Sequence, residues 1–474
     1  MVKAAAIQNK MEKIKLEFTE PVHSLWLKAD LKENLGAMVL LYNPAMQLCG
    51  TLSLGFSRFI NELYISQTVC TLNGLYHDLQ SGVYTLMILP LYDLQQESAE
   101  IIINAEINIT RTYEKEYCQQ KPVKEEISFT AVTEEAGRYY KGDFHGHTIF
   151  SDGHNSLREA SEILKNQGMD FMAFTEHNSM AFGRADLPCL SIPSFELTLP
   201  IGHVNIHGVR NLALFYEQPA GNAEEILDQT LDVFSLGSNL SLNHMFMEPW
   251  HFTYGEFDLS RLNTIEVICD PTYETAPEAN EQAAAFLDFL WNRGYRIYGI
   301  GGSDSHNKID EYYEGSKEPS IYGDPATYVY CKGLSVQNVL DGVRNGHCYT
   351  ARYVTLDICI GGGKYLPGDP ISEDEKEITY EISIKNINKP FKGCFFLNGK
   401  IIKEVLLKKD QDSVSFTMYN SGDPWWLRFG IYDMQGQVIA YVNPVYHKAI
   451  QPDKADFKNL LKEFGERYDQ RYIV

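Results

Sequence analysis

Nine of the thirteen histidines in this 474-residue chain lie between positions 145 and 306: His145, His147, His154, His177, His203, His207, His244, His251 and His306. That window is about a third of the chain, so even spacing would place only about four there. His145-Gly146-His147 has i, i+2 spacing, which at a strand end points both imidazoles to one face where they can grip one ion. Asp304-Ser305-His306 repeats the spacing. Between the two come Asp152 in Ser151-Asp152-Gly153, His177 in Thr175-Glu176-His177-Asn178, Glu196 in Pro193-Ser194-Phe195-Glu196, and His244. These five His, two Asp and one Glu exceed the four ligands of a single zinc and suit two or three divalent ions sharing a carboxylate. All are nitrogen or oxygen donors, so Zn, Mn or Fe fits the set, and no thiolate narrows the choice.

Each of these residues falls at or just past the C-terminal end of an expected strand. After 139, short apolar runs alternate with amphipathic patterns, which argues for parallel β/α units. Strands are expected to end within 143–147 and to run over 170–175, 190–196, 203–209, 240–243, 264–269 and 296–301. Helices fit 156–167, 223–234, 280–293 and 335–345, three of them followed by a glycine suited to stop them, Gly168, Gly294 and Gly346. A β/α barrel is the natural closure, with its active site in the loops after the strands. His203, Asn205 and His207 share one face of their strand, so either histidine could reach the ions. The glycines in 299–302 lack the spacing of a phosphate loop and instead let that strand approach the cluster closely.

Up to 133 the sequence is a succession of β-type runs, at 15–19, 37–42, 47–54, 62–72, 82–92 and 100–110, with turn pairs such as Asn43-Pro44 and Asn73-Gly74 between them. A polar connection over 112–138 follows. Beyond 349, β-type runs return at 354–360, 376–384, 393–397, 413–418 and 425–432, with a hairpin signal at Asn398-Gly399, and 456–468 reads as a short charged helix. The expected division is an N-terminal β-sandwich-like domain (1–135), an α/β barrel (136–350) and a C-terminal β-rich domain (351–474). Trp425-Trp426 and Phe395-Phe396 are read as core rather than as a carbohydrate platform. His154 and His251 are read as exposed.

The ordered motifs Asp143-Phe144-His145-Gly146-His147-Thr148, Ser151-Asp152-Gly153, Thr175-Glu176-His177-Asn178, Glu196, His244 and Gly302-Ser303-Asp304-Ser305-His306 resemble the PHP superfamily, the polymerase and histidinol phosphatase domain. Within it the chain is most similar to the CehA/McbA-type metallohydrolases, through Gly202-His203-Val204-Asn205. Arg344-Asn345-Gly346-His347-Cys348-Tyr349, Trp426-Leu427-Arg428 and Asn443-Pro444 echo the tail of that group. The resemblance spans 139–446, about two thirds of the chain. It implies a distorted (β/α)7 TIM-like PHP barrel with two or three divalent ions, the β-domains flanking it. His145, His147 and Asp304 would ligate one ion, Glu196 would bridge, Asp152, His177 and His306 would surround another, and His244 would complete the third position. For the remaining ligand the Gly-His-x-Asn context favours His203, with His207 as the alternative. The implied chemistry is hydrolysis by hydroxide that the ions generate from water, with Glu196, Asp304 and His244 at the catalytic centre. A small phosphate ester is the leading substrate class, and a carboxylic ester or carbamate the alternative. Arg184 and Arg210 are candidates to pair with phosphate oxygens.

Charge bounds the partners. The 63 acidic residues outnumber the 41 basic ones, for a formal charge of −22. Such a surface repels a nucleic-acid backbone, and no basic patch offsets it, so a nuclease or polymerase-accessory role is disfavoured and a small anionic molecule is expected. A composition that is 44% hydrophobic and 22% charged is that of a folded protein. The nine cysteines are scattered without a CxxC pair, which reads as buried thiols in a reducing compartment. With no apolar segment of signal-peptide or membrane-spanning length, a cytoplasmic location and no membrane partner are expected. The alternative from another class is a non-catalytic glycan- or partner-binding protein, against which the complete ligand set speaks.

Overall fold

The structure is a computed structural model, and it describes residues 2–7, 12–31, 36–54, 61–75, 78–90, 99–113, 118–119, 128–179, 187–209, 222–408, 413–452 and 455–471. It is mixed α/β and mostly sheet. The first ten strands are β1 (Val2–Ile7), β2 (Glu12–Phe18), β3 (Ser24–Leu31), β4 (Ala37–Tyr42), β5 (Leu48–Leu54), β6 (Glu62–Ser66), β7 (Cys70–Thr71), β8 (Gly82–Pro90), β9 (Ala99–Ile107) and β10 (Cys118–Gln119). They pair antiparallel in two sheets, β1-β9-β3-β6-β7-β10 and β2-β8-β4-β5. Alternating side chains of both sheets, among them Leu25, Leu27, Val39, Leu41, Ile88 and Ile103, share one core. β4 is buried along its whole length. Val39 and Leu41 serve that first core, while Met38, Leu40 and Tyr42 join the larger one containing Phe195, Leu197 and Val204. The four-stranded sheet therefore has apolar contacts on both faces, as period-two alternation allows.

The middle of the chain carries β11 (Glu134–Asp143), α1 (Leu157–Asn166), β12 (Phe171–Met172), β13 (Leu190–Ser191), β14 (Ser194–Leu199), β15 (Gly202–His207), α2 (Ala223–Phe234), β16 (Asn239–Leu242), β17 (Thr264–Cys269), α3 (Ala276–Asn292), β18 (Tyr298–Gly302), β19 (Ala326–Leu334), α4 (Val336–Arg344) and β20 (Cys348–Ala351). The Ser156 hydroxyl and the Glu159 side chain cap α1 reciprocally, and Gly168 takes up a left-handed φ of 63° just past its end. The expected strand at 190–196 is divided into β13 and β14 at Ile192-Pro193, where proline has no N–H to give a ladder.

One sheet runs in the order β14-β15-β16-β17-β18. Contrary to the expected parallel β/α pattern, β14 pairs antiparallel with β15, and β15 with β16. Only Pro200 and Ile201 separate β14 from β15, too short a link for a crossover between parallel strands. β16, β17 and β18 are parallel, as are β11 and β12. Two isolated parallel bridges, His177 to Glu196 and Gly146 to Ser305, join the two groups. Pairing thus passes from β11 through β12, β14, β15, β16, β17 and β18 and back to β11.

Beyond 351 lie β21 (Thr355–Ile360), β22 (Glu377–Lys385), β23 (Phe391–Leu397), β24 (Lys400–Leu407), β25 (Ser413–Tyr419), β26 (Trp425–Tyr432), β27 (Val438–Val442), β28 (Val445–His447) and α5 (Phe457–Arg471). The sheet is continuous across the expected 350/351 boundary, because Tyr349 of β20 pairs with Val442 of β27. Arg428 of β26 and Asp288 of α3 form a buried two-point ion pair at 2.6 and 2.7 Å across the same join. α5 is amphipathic: Phe457, Leu460 and Phe464 enter the main core. Trp425, Trp426, Phe395 and Phe396 are all buried, and all nine cysteines are free thiols. Among the described residues no helix is long and apolar enough to cross a membrane.

Candidate metal centre

The segment that follows β11 and the segment that follows β18 are zipped together. His147 N–H donates to Ser305 O at 3.1 Å, and Asp304 N–H to His145 O at 2.9 Å. Asp143, fully buried, accepts from the N–H groups of His145, Ser303 and Gly323 at 2.7 to 3.1 Å and so fixes where both segments leave their strands. The close approach needs glycine: a Cβ on Gly302 would lie 2.2 Å from the His145 Cβ and 2.8 Å from Glu266 Oε1. The sequence-based reading of this strand as one that nears the cluster fits that geometry.

Glu196, pointing inward from β14, lies amid five imidazoles. Its carboxylate is 2.8 Å from His177 Nδ1, 3.0 Å from His203 Nδ1, and 3.5 Å from the Nε2 atoms of His145, His147 and His244. Asp304 lies 3.1 and 3.0 Å from the Nε2 atoms of His145 and His147. Asp152 faces His306 Nε2 at 3.1 Å and His177 Nε2 at 3.4 Å. Four sets therefore gather with ligand atoms within 4.8 Å of one another: His147, Asp152, His177 and His306; His145, His147 and Asp304; His145, Glu196 and His244; and His145, Glu266 and Cys269.

Ring orientation follows from the partners on the far side. The Nδ1–H of His145 donates to Glu266 Oε1 at 2.7 Å, which leaves its Nε2 lone pair facing the cluster. Glu266 Oε2 also accepts the His244 N–H at 3.0 Å. His147 uses Nδ1 on Ser151 Oγ at 3.3 Å. Glu176 in turn holds Ser151 Oγ at 2.7 Å and Thr148 Oγ1 at 2.6 Å. Glu266 and Glu176 are buried acids of this cluster that the sequence-based reading did not single out. The available signal was a carboxylate inside an otherwise apolar strand for Glu266, and a second acid beside His177 for Glu176. Backbone strain concentrates here too: Asn178, His244, Asp270 and Asp304 have φ of 51°, 24°, 35° and 48°. Each such residue costs about 1–3 kcal/mol and persists only when its surroundings hold it.

Electrostatics separates the groups. Burial disfavours charge throughout, yet Asp304, Glu266 and Glu196 hold His145 well above its ordinary value. Burial is likewise outweighed at His306, where Asp152 and Asp304 raise the pKa to about 9. At His147 burial wins, helped by the nearby His306 and His177, and takes it down to about 3. The surrounding histidines overcome burial at Asp304, Asp152 and Glu196 and push all three well below the carboxylate range.

These residues fit divalent ions on a structural criterion. His145 Nε2, His147 Nε2, Asp152 Oδ1 and Glu196 Oε2 are buried without a well-formed hydrogen bond, facing one another only in the close nitrogen–oxygen contacts given above. Orphaned buried polar atoms are costly, and a cation between them removes the cost. Apart from the Cys269 thiol, which burial pushes well above its ordinary pKa, the donors are nitrogen and carboxylate oxygen, as Zn, Mn and Fe accept.

Of the two candidates on β15, His203 lines the cavity beside Glu196. His207 is a satisfied core residue, with Nε2 on Phe144 O at 2.8 Å and Nδ1 on the Asn239 amide at 3.0 Å. His154 is half-buried against Glu311, and His251, beside Glu248 at 3.1 Å, lines the cavity rather than standing apart from it. Arg184 and Arg210 lie outside the described residues. The cavity above the cluster measures about 680 Å3. Trp250, Tyr273 and Tyr313 form part of its wall, with successive ring centroids 5.3 Å apart. Asp270, buried at its edge, accepts from Tyr313 Oη at 2.9 Å and Ser320 Oγ at 3.3 Å.

No family model matches the chain, and no curated protein does. Among solved structures it is similar to a two-domain protein of Bacteroides vulgatus containing a predicted PHP-like metal-dependent phosphoesterase, at 17% identity over 68% of this chain and 98% of that one, with a TM-score of 0.38. A likeness to the CspB protease of Clostridium perfringens covers 23% of each chain at 19% identity and a TM-score of 0.11. Another, to a Bacteroides uniformis β-glucuronidase, covers 95% of this chain and 61% of that one at 10% identity and a TM-score of 0.18. None is close enough to assign a function, which rests on the site itself.

Proposed function

We propose that this chain is a metal-dependent hydrolase of the PHP type, acting on a small phosphate ester. The observation that carries the reading is the convergence of buried ligand atoms, without well-formed hydrogen bonds, around Glu196 and Asp304 beneath an open cavity. The circuit of strands around them supports reading 136–350 as a distorted (β/α)7 barrel between β-rich flanks. His145, His147, Asp152, His177, Glu196, His203, His244, Asp304 and His306 would hold two or three Zn, Mn or Fe ions, His203 being preferred to His207 because both His207 nitrogens are already engaged. Ions held there supply Lewis acidity, lowering the pKa of water and drawing charge from an ester oxygen.

The remaining roles belong to the chain. Glu266 and Ser151 keep the His145 and His147 rings turned so that each Nε2 faces inward. The aromatic wall of Trp250, Tyr273 and Tyr313 receives the leaving group, and Asp270 anchors the Tyr313 hydroxyl.

Charge discriminates between substrate classes. Three divalent ions against the carboxylates of Asp152, Glu196, Asp304 and Glu266 leave about two positive charges, which favours a phosphate monoester dianion. Two ions leave about none, which suits an uncharged carboxylic ester or carbamate. Asp270, which burial raises to about 7, lowers each total by up to one charge where it ionises. The test is turnover of aryl phosphates, aryl carboxylic esters and aryl carbamates by protein loaded with Mn, Zn or Fe, with metal content measured on the same samples. Phosphate turnover is expected. Ions bound without turnover of any of the three would refute the hydrolase reading and favour a binding protein.

A further inference from the structure

The N-terminal β layer touches the metal centre at two places, and both lead to the same set of ligands. On β5, Thr51 and Ser53 point to one face, as i, i+2 residues do. Ser53 Oγ donates to His177 O at 3.0 Å, and Thr51 Oγ1 lies 3.1 Å from Ser179 Oγ. The residue between, Asn178, has a left-handed φ of 51°. Its side chain is clamped from the other side, accepting from Thr198 N at 2.9 Å and donating to Thr198 O at 3.1 Å. The two hydroxyls thus grip the chain immediately before and after a residue whose conformation must be imposed. All three hydroxyl-bearing side chains, Thr51, Ser53 and Ser179, are buried, so water does not compete for these bonds.

The second contact is apolar. Leu72, just past β7, forms a small buried cluster with Phe150, two residues before Asp152. Asp152 and His177 belong to the set completed by His147 and His306. By contrast, the set of His145, Glu196 and His244 is backed by Glu266 of β17, from the same sheet as Glu196. Among the described residues, the strand that carries Glu196 meets the N-terminal layer only through apolar packing of Phe195 and Leu197 with Met38, Leu40 and Tyr42, whereas the His177 loop is held by directed hydrogen bonds from it.

We propose that the N-terminal β layer is a working part of the metal centre: Thr51 and Ser53 are positioning residues that hold the His177 loop and thereby one ion position. The inference rests on the reading of His147, Asp152, His177 and His306 as ligands. It gives the layer a task beyond an appended fold, and it predicts that the ion positions differ in their dependence on it.

The test compares the full-length wild type with Thr51→Val, Thr51→Val/Ser53→Ala and the conservative Thr51→Ser. Each metal-free protein is titrated with Mn2+ and with Co2+, whose visible absorption reports the geometry at each step, and final stoichiometry is fixed by elemental analysis. The double variant is expected to bind one ion about 5- to 30-fold more weakly, from the loss of two buried neutral hydrogen bonds, with the other steps unchanged. Thr51→Ser, which keeps the hydroxyl, should match the wild type, and Thr51→Val, close to isosteric, should show part of the loss if the double variant does not fold. Equal affinities in the wild type and all variants would overturn the proposal while leaving the metal reading intact. So would uniform weakening at every step with a lowered unfolding midpoint of the metal-free protein, which marks a merely structural role. A wild type that takes up no ion would overturn both readings.

Discussion

Glu266→Gln is the most informative single change. The two carboxylate oxygens accept from two different donors, the His145 Nδ1–H at 2.7 Å and the His244 N–H at 3.0 Å. Glutamine is nearly isosteric but offers one acceptor and one donor. If its oxygen takes the His145 proton, its NH2 faces the His244 N–H, and two buried donors confront each other. If it flips, its NH2 donates to His145 Nδ1, the ring proton moves to Nε2, and the atom that should face an ion is blocked. The first outcome leaves two buried donors facing each other and the second requires His145 to change tautomer before an ion can bind, either at about 1–3 kcal/mol. At about 1.4 kcal/mol per factor of ten, that is roughly 5- to 150-fold in affinity, in line with the 10–100-fold typical of such outer carboxylates. The loss should fall on the sets that include His145, with Glu196 and His244 and with His147 and Asp304, and spare that of His147, Asp152, His177 and His306. Competition titration against a chromophoric chelator, with the metal-free unfolding midpoint as a control, measures it. A folded Glu266→Gln protein that binds its full complement with wild-type affinity would refute the reasoning.

Two further outcomes follow from the same geometry. His203→Ala should lower metal content or activity with little change in stability, whereas His207→Ala, which strands Phe144 O and the Asn239 amide, should cost about 1–3 kcal/mol of stability yet keep its ions; thermal melts and elemental analysis on both variants decide. Metal loading should also release protons: the carboxylates raise His306 to about 9 against its burial, so below that pH an ion displaces its proton, and this contribution should make apparent affinity climb about tenfold per pH unit before it levels above pH 9. Calorimetric titration in buffers of different ionisation enthalpy reads the proton count, and an affinity independent of pH between about 6 and 8.5 would contradict it.

The site was more legible in the sequence than the fold that builds it. His145 and His147, and Asp304 and His306, announce themselves by spacing, and the elements carrying them need only end where apolar runs end. Glu266 was hidden because a lone acid within the buried run of β17 has no local pattern to mark it. The hairpin of β14 and β15 was readable in principle: Pro200-Ile201 is too short for a crossover, but alternating apolar runs on both sides suggested separate units. β1 and β3 were missed, although β3 is an ordinary apolar run, Ser24–Leu31, with a lysine and an aspartate within it. The pairing of β20 with β27 joins residues some ninety positions apart and has no signature in either segment, which is why the expected boundary at 350/351 falls inside a sheet.

The strand circuit is stitched at two places by a single bridge each, and the stitches coincide with the ligands. His177 and Glu196 are themselves one bridge, while Gly146 and Ser305 stand between His145 and His147 and between Asp304 and His306. An ion in this centre is therefore also a rivet, fastening the seams where backbone pairing is thinnest. A ligand at a hundred times its dissociation constant adds about 2.7 kcal/mol to folding stability, a large part of what a typical domain has. Scarcity of metal in the cell would then remove the protein as well as its activity, because the unfastened chain is the one that proteases meet, and its abundance becomes a record of metal supply.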